Sequence, residues 1–233
     1  MASDFSLTKQ LFNIPKNMIY LDGNSLGPPT KTSAHKVGVL IDQKWGKLLV
    51  SGWNKDNWID QPQNVGNRIA KLIGAENNHV ILGDTLSIKL YQALFSAISL
   101  QKNRKVLLSD NGNFPSDLYI AQGLIHSLDK NYELRVVETK NILDKLTDEI
   151  AVLFLTEVDY RTGQKHDMKA INTKARELGI LTVWDLAHSV GAFPIELAAC
   201  ECDFAVGCTY KYLNGGPGSP GFIYVAPKHT ETI

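Results

Sequence analysis

The chain of 233 residues balances 24 Lys+Arg against 24 Asp+Glu, and 44% of its residues are hydrophobic. It is long enough to bury a substantial core, and its zero formal charge gives no electrostatic support to a nucleic-acid or anionic-membrane role. No apolar run approaches the roughly 20 residues that span a bilayer. The start, Met1-Ala2-Ser3-Asp4-Phe5, has neither the basic nor the apolar region of a secretory signal, so a cytoplasmic location is expected. Cys200, Cys202 and Cys208 crowd into one segment, which suits free thiols in a reducing compartment. Cys200 and Cys202 lack a second ligand pair at zinc spacing, and no metal site is expected.

Residues 1–78 read as an N-terminal arm and lead-in. An extended entry, Tyr20 to Pro29, is followed by a helix from about Thr32 to Leu49 and a second from about Gln63 to Ile73, stopped by Gly74. From residue 79 onward short apolar runs alternate with amphipathic stretches, the pattern of an α/β domain over 79–233. Strands are expected at Val80–Leu82, Lys105–Leu108, Leu134–Val137, Ala151–Leu155, Leu181–Trp184, Asp203–Val206 and Gly221–Val225. Several are apolar throughout, as in a parallel sheet covered on both faces. Helical spacing marks Ser87–Ser99, Ser116–Ser127 and Asp167–Leu178. The expected fold is α/β: a mostly parallel seven-stranded sheet with helices on both faces. Because Ile233 follows Val225 so closely, the sheet reads either as a minimal domain or as one whose following domain is missing from this chain.

In open α/β sheets ligands bind beyond the carboxyl ends of the strands, so the loops there come first. Asp84-Thr85-Leu86-Ser87 opens a helix, where free N–H groups and two hydroxyls suit a phosphate; an ordinary helix cap accounts for the same residues. Asp185 ends an apolar strand and needs a partner to stay charged. His188, three residues on, would lie alongside it and grip an aromatic heterocycle with it; a cap and a core histidine are the plainer alternative. Lys211 follows another strand between Tyr210 and Tyr212, ahead of Gly215-Gly216-Pro217-Gly218. Held there, its amine would be a nucleophile toward a carbonyl; alone, it would read as a surface lysine. Together with Phe114 as a ring-stacking candidate, these are the parts that hold pyridoxal phosphate.

The segments Leu21–Gly27, Phe114–Asp117, Thr156–Gly163, Asp185–His188 and Tyr210–Gly218 resemble the fold-type I pyridoxal-phosphate enzymes and, within them, the kynureninase family. The resemblance implies that Lys211 is the Schiff-base lysine, that Asp185 partners the pyridine nitrogen and that Phe114 stacks on the ring. It makes Leu86 and Ser87 the phosphate-binding pair, and Pro115, Ser116, Asp117, Thr156 and His188 further cofactor contacts. Tyr210 matches a phosphate-contacting tyrosine linked to proton transfer, and Lys211, Tyr210 and Asp185 become the expected catalytic group. Asn24, Ser25 and Trp53 match parts that approach the substrate.

The implied reaction is hydrolysis of L-kynurenine or 3-hydroxykynurenine to an anthranilate and L-alanine, in tryptophan catabolism and NAD biosynthesis, by a cytoplasmic homodimer. The family continues into a small C-terminal domain that this chain lacks, which implies a truncated form. Two alternatives share part of the pattern: a cysteine desulfurase or class V aminotransferase-like enzyme, and a non-catalytic binding or dimerisation module that keeps the cofactor fold.

Overall fold

The computed structural model describes residues 5–128 and 131–233; residues 1–4 of the expected arm lie outside the described residues. Seven strands form one sheet: β1 (Val80–Leu82), β2 (Val106–Asp110), β3 (Glu133–Val137), β4 (Ile150–Thr156), β5 (Leu181–Asp185), β6 (Phe204–Cys208) and β7 (Gly221–Val225), in the order β1-β7-β6-β5-β4-β2-β3. Each expected strand is present, with its ends moved by at most two residues. The pairings among β3, β2, β4, β5 and β6 are parallel, whereas β7 runs antiparallel to both neighbours.

Alternation along the central strands explains the layering. Ile150, Leu153 and Leu155 of β4 join one apolar cluster with Trp184, Ala205 and Phe222, while Ala151, Val152 and Phe154 join the other with Val183, Phe204 and Val206. Both faces are apolar because both are covered. The Gln61–Leu72 and Met168–Glu177 helices supply Ile69, Ala70, Ile171 and Ala175 to the first face; the Leu86–Leu100 and Pro115–Ser127 helices supply Leu90, Leu94, Ala121 and Leu124 to the second.

The lead-in helix begins at Lys31, one residue before the expected Thr32, and widens to π geometry over Leu40–Trp45 before a last turn at Gly46–Leu48. The second lead-in helix ends at Leu72, and the chain turns away at Gly74, whose φ of +61° favours glycine. Among the described residues no helix is long and apolar enough to cross a membrane.

The register gathers the functional loops. Thr156 pairs with Asp185, and Asp185 with Val206, so β4, β5 and β6 end together. Antiparallel β7 starts at that edge, Gly221 opposite Cys208, and antiparallel β1 returns to it, Leu82 opposite Phe222. The loops that carry Leu86, Phe114, Asp185–His188 and Lys211 therefore share one edge of the sheet.

Candidate functional site

Lys211 is buried, 6% exposed, on a loop closed by its own hydrogen bonds. Asn214 N–H donates to the Lys211 carbonyl at 2.9 Å, Gly215 N–H to the Thr209 carbonyl at 2.8 Å, and Thr209 Oγ1 to the Pro220 carbonyl at 2.6 Å. Gly216 and Gly218 supply the left-handed turns (φ +87° and +77°) that this closure needs. The N-terminal arm presses on the same loop: Gly27 N–H donates to the Tyr210 carbonyl at 2.8 Å. A side chain on Gly27 would run into the Lys211 carbonyl and Asn214.

The Lys211 Nζ lies 2.7 Å from His188 Nε2, 5.4 Å from the centroid of the Phe114 ring and 5.7 Å from that of Tyr210. Phe114 and His188 are tilted 31° with ring centroids 5.9 Å apart, and Tyr160 fits against both, at 5.0 and 5.9 Å. Burial, then the Lys211 charge, push the His188 imidazole down to about 4, so at neutral pH it is uncharged. Nζ therefore donates to Nε2, and the ring proton sits on Nδ1, which is buried without a partner.

Asp185 is 2% exposed. Its Oδ1 accepts from Ala187 N–H at 2.8 Å, and its Oδ2 is buried with no hydrogen-bond partner. The cationic partner expected for it is not Lys211, which points to His188 instead. Burial lifts the Asp185 carboxyl to about 6, opposed by the Ala187 N–H, the Lys211 charge and Asp117. Asp117, on the first turn of its helix and 1% exposed, touches Asp185. Burial and the Asp185 charge hold the Asp117 carboxyl well above its ordinary range, because two buried carboxylates in contact cannot both ionise. Burial also raises the Tyr210 phenol to about 12.

Thr156 Oγ1 donates to Asn113 Oδ1, which also accepts the Phe114 N–H at 2.7 Å. Pro115 takes the first helical turn after Phe114, and Ser116 Oγ faces Asp117 Oδ1 at 3.5 Å. Leu86 and Ser87 open their helix behind Thr85, whose hydroxyl accepts the Ile88 N–H at 3.4 Å, so the capping alternative holds for that one hydroxyl. Gly221 lies against this helix start: a side chain there would sit 2.8 Å from the Leu86 nitrogen.

In the arm, Ser25 Oγ donates to Asp22 Oδ1 at 2.7 Å, and Asn24 shares that turn, which reaches the Lys211 loop through Gly27. Trp53 is half exposed and set edge-on to Trp58 at 6.3 Å; its aromatic partner is a lead-in residue, not the Phe114–Tyr160–His188 group. Asn113 and Tyr160 had no expected role. Tyr160 lies inside the Thr156–Gly163 segment and Asn113 immediately precedes Phe114, and only their side-chain contacts set them apart.

Residues 55–233 match the family model described as aminotransferase class-V. Kynureninase from Burkholderia mallei is 46% identical over 230 residues, and that from Pseudomonas fluorescens 44%. Each alignment takes in 97% of this chain and 55% of the relative, so the chain spans about half the length of the curated relatives it matches. Among solved structures, the cysteine desulfurase CsdA from Escherichia coli superposes with a TM-score of 0.79 at 14% identity, over 98% of this chain and 59% of that one. A C-DES variant with glycine covalently linked to its PLP cofactor gives 0.77 at 15% identity, over 100% and 62%. At that identity the likeness shows the fold alone. On its sheet order, its motifs and the family model that covers most of its length, the chain belongs to the class-V aminotransferase family.

Proposed function

We propose that this chain carries the cofactor site of a pyridoxal-phosphate enzyme that hydrolyses L-kynurenine or 3-hydroxykynurenine to an anthranilate and L-alanine. The observation that carries the reading is the buried Lys211–His188 pair beside an unpartnered Asp185 oxygen, in a sequence 44–46% identical to kynureninases. The residues fit the cofactor. Asp185 Oδ2 and His188 Nδ1 are buried polar atoms without protein partners, as expected where a ligand completes the hydrogen bonding.

In this reading Lys211 would bond to the cofactor, Asp185 would partner its ring nitrogen, and Phe114 and His188 would hold its ring. The helix start at Leu86 and Ser87 holds its phosphate, and Pro115, Ser116, Asp117, Thr156 and Tyr210 complete the wall. Bound there, pyridoxal phosphate supplies an electron sink for the carbanion at Cα. Lys211, with its amine free, would take the Cα proton as general base. Asp185 keeps a proton at the ring nitrogen through charge. Tyr210, whose phenol burial keeps protonated, returns a proton to the departing alanine. Asn24, Ser25 and Trp53 are assigned to the substrate side.

The N-terminal arm and lead-in (1–78) and the cofactor domain (79–233) are assigned as separate units. Trp45, Leu49, Val50, Trp53 and Ile59 expose between 51 and 80% of their surface, which supports a homodimer contact through the lead-in. The buried thiols of Cys202 and Cys208 support a cytoplasmic setting. Absorbance titration with pyridoxal phosphate, borohydride reduction and peptide mapping test the site; a label on Lys211 is the expected result. Anthranilate fluorescence from kynurenine, given by the protein that carries this chain, tests the reaction. Sulfide from cysteine would replace it with the desulfurase reading, and a folded chain that takes no cofactor would leave a binding module.

A further inference from the structure

Asn113 is 4% exposed in the loop between β2 and the Pro115–Ser127 helix, and its amide is fully used. Oδ1 accepts from Phe114 N–H at 2.7 Å and from Thr156 Oγ1. Nδ2 donates to Ser109 Oγ at 2.9 Å and to the Phe154 carbonyl at 3.4 Å. The orientation of this amide is fixed by its neighbours, since the Phe114 N–H can only donate and the Phe154 carbonyl can only accept. Ser109 agrees: its hydroxyl donates to the Phe154 carbonyl at 2.8 Å, which leaves its oxygen to accept from Nδ2.

One consequence follows for Thr156. Oδ1 has no proton to give, so the Thr156 hydroxyl must spend its own on Asn113. It meets anything on its other side with lone pairs only. The same oxygen ties down the backbone of Phe114, at the start of a helix that also carries Asp117.

We propose that Asn113 is a positioning residue that sets the placement of Phe114 and makes Thr156 an acceptor, so that Thr156 takes an N–H or O–H group of the bound cofactor. The inference rests on the pyridoxal-phosphate reading and adds to it a residue outside the ligand's contact wall. Every hydrogen-bonding atom of the buried amide has a partner, as a buried polar network requires.

The test compares Asn113→Ala with Asn113→Asp, reading pyridoxal-phosphate affinity by absorbance titration, the visible circular dichroism of the bound cofactor, and melting without it. Asp keeps the acceptor for Phe114 N–H and Thr156 but loses the Nδ2 donors; Ala loses everything. Melting is expected to fall in both. Affinity is expected to fall at least tenfold, with an altered dichroic band, in Asn113→Ala, and to stay within about threefold of the parent in Asn113→Asp. In Asn113→Ala combined with Thr156→Val, the loss is expected to be smaller than the sum of the single losses, because one variant acts through the other. Parent-like affinity and dichroism in Asn113→Ala, or equal losses in the Ala and Asp variants, would overturn the inference. If Asn113→Ala does not fold, the Asp variant decides alone, with retention of the band supporting the role and its loss refuting it. No visible band in the unsubstituted protein would overturn the cofactor reading itself, and the inference with it.

Discussion

Lys211 Nζ donates to His188 Nε2 across 2.7 Å, which joins the loop after β6 to the turn after β5. The contact gives a buried lysine an acceptor that carries no charge, because burial holds the imidazole neutral at about 4. A carboxylate in that place would tie the amine into an ion pair; a neutral ring nitrogen leaves it free to exchange partners.

Lys211→Ala is expected to abolish borohydride-fixable cofactor while leaving far-ultraviolet circular dichroism unchanged, since the alanine removes an amine and leaves the loop's backbone hydrogen bonds in place. Mass spectrometry of the reduced protein reads the label directly. A variant that still fixes one cofactor per chain would show that another amine does the bonding.

Asp185→Asn separates folding from function. The Asp185 carboxyl, raised by burial from 3.8 to about 6, binds its proton more tightly when folded. Its contribution to stability is therefore fully present below about pH 4 and is lost as pH rises through 6. At pH 7.5 the neutral amide avoids that loss, and cofactor-free Asp185→Asn is expected to be more stable than the parent. The gap is expected to close near pH 4. The same variant is expected to bind pyridoxal phosphate at least tenfold more weakly. Urea unfolding at both pH values checks the sign, and a parent more stable than the variant at pH 7.5 would refute it.

The strands were legible because β4, β5 and β6 are apolar along most of their length, which marks a sheet covered on both faces. The reversed direction of β7 was not legible: Gly221–Val225 reads like its parallel neighbours, and only pairing distinguishes it. At the site, Phe114, His188 and Lys211 each follow a strand, and parallel strands bring such positions to one edge, so sequence order alone gathers them. The Asp117–Asp185 contact depends on how the Pro115–Ser127 helix is turned over the sheet, which local pattern does not encode. The same holds for Tyr160, carried on a hairpin that the Val158–Lys165 bridge closes. Trp53 is set edge-on to Trp58, a pairing that a motif match does not encode.

Two glycines test the docking of the N-terminal arm against the Lys211 loop. Gly27 leaves no room for a methyl group, because the Lys211 carbonyl and Asn214 occupy the space, and its N–H holds the Tyr210 carbonyl at 2.8 Å. Gly27→Ala is expected to push the Asp22–Gly27 turn off the loop, destabilising the chain by roughly 1–3 kcal/mol as overpacked sites do. Because Tyr210 and Lys211 ride on that loop, cofactor affinity is expected to fall with it. Gly123 is the control. It lies on the exposed side of the Pro115–Ser127 helix with nothing within 4 Å of the place a side chain would take. Gly123→Ala is expected to stabilise the chain by about 0.5–1 kcal/mol, through the backbone entropy that glycine gives up on folding, and to leave cofactor affinity alone. Chemical unfolding and absorbance titration on the two variants read both quantities. If Gly27→Ala melts early but binds pyridoxal phosphate as the parent does, the arm braces the fold without shaping the site.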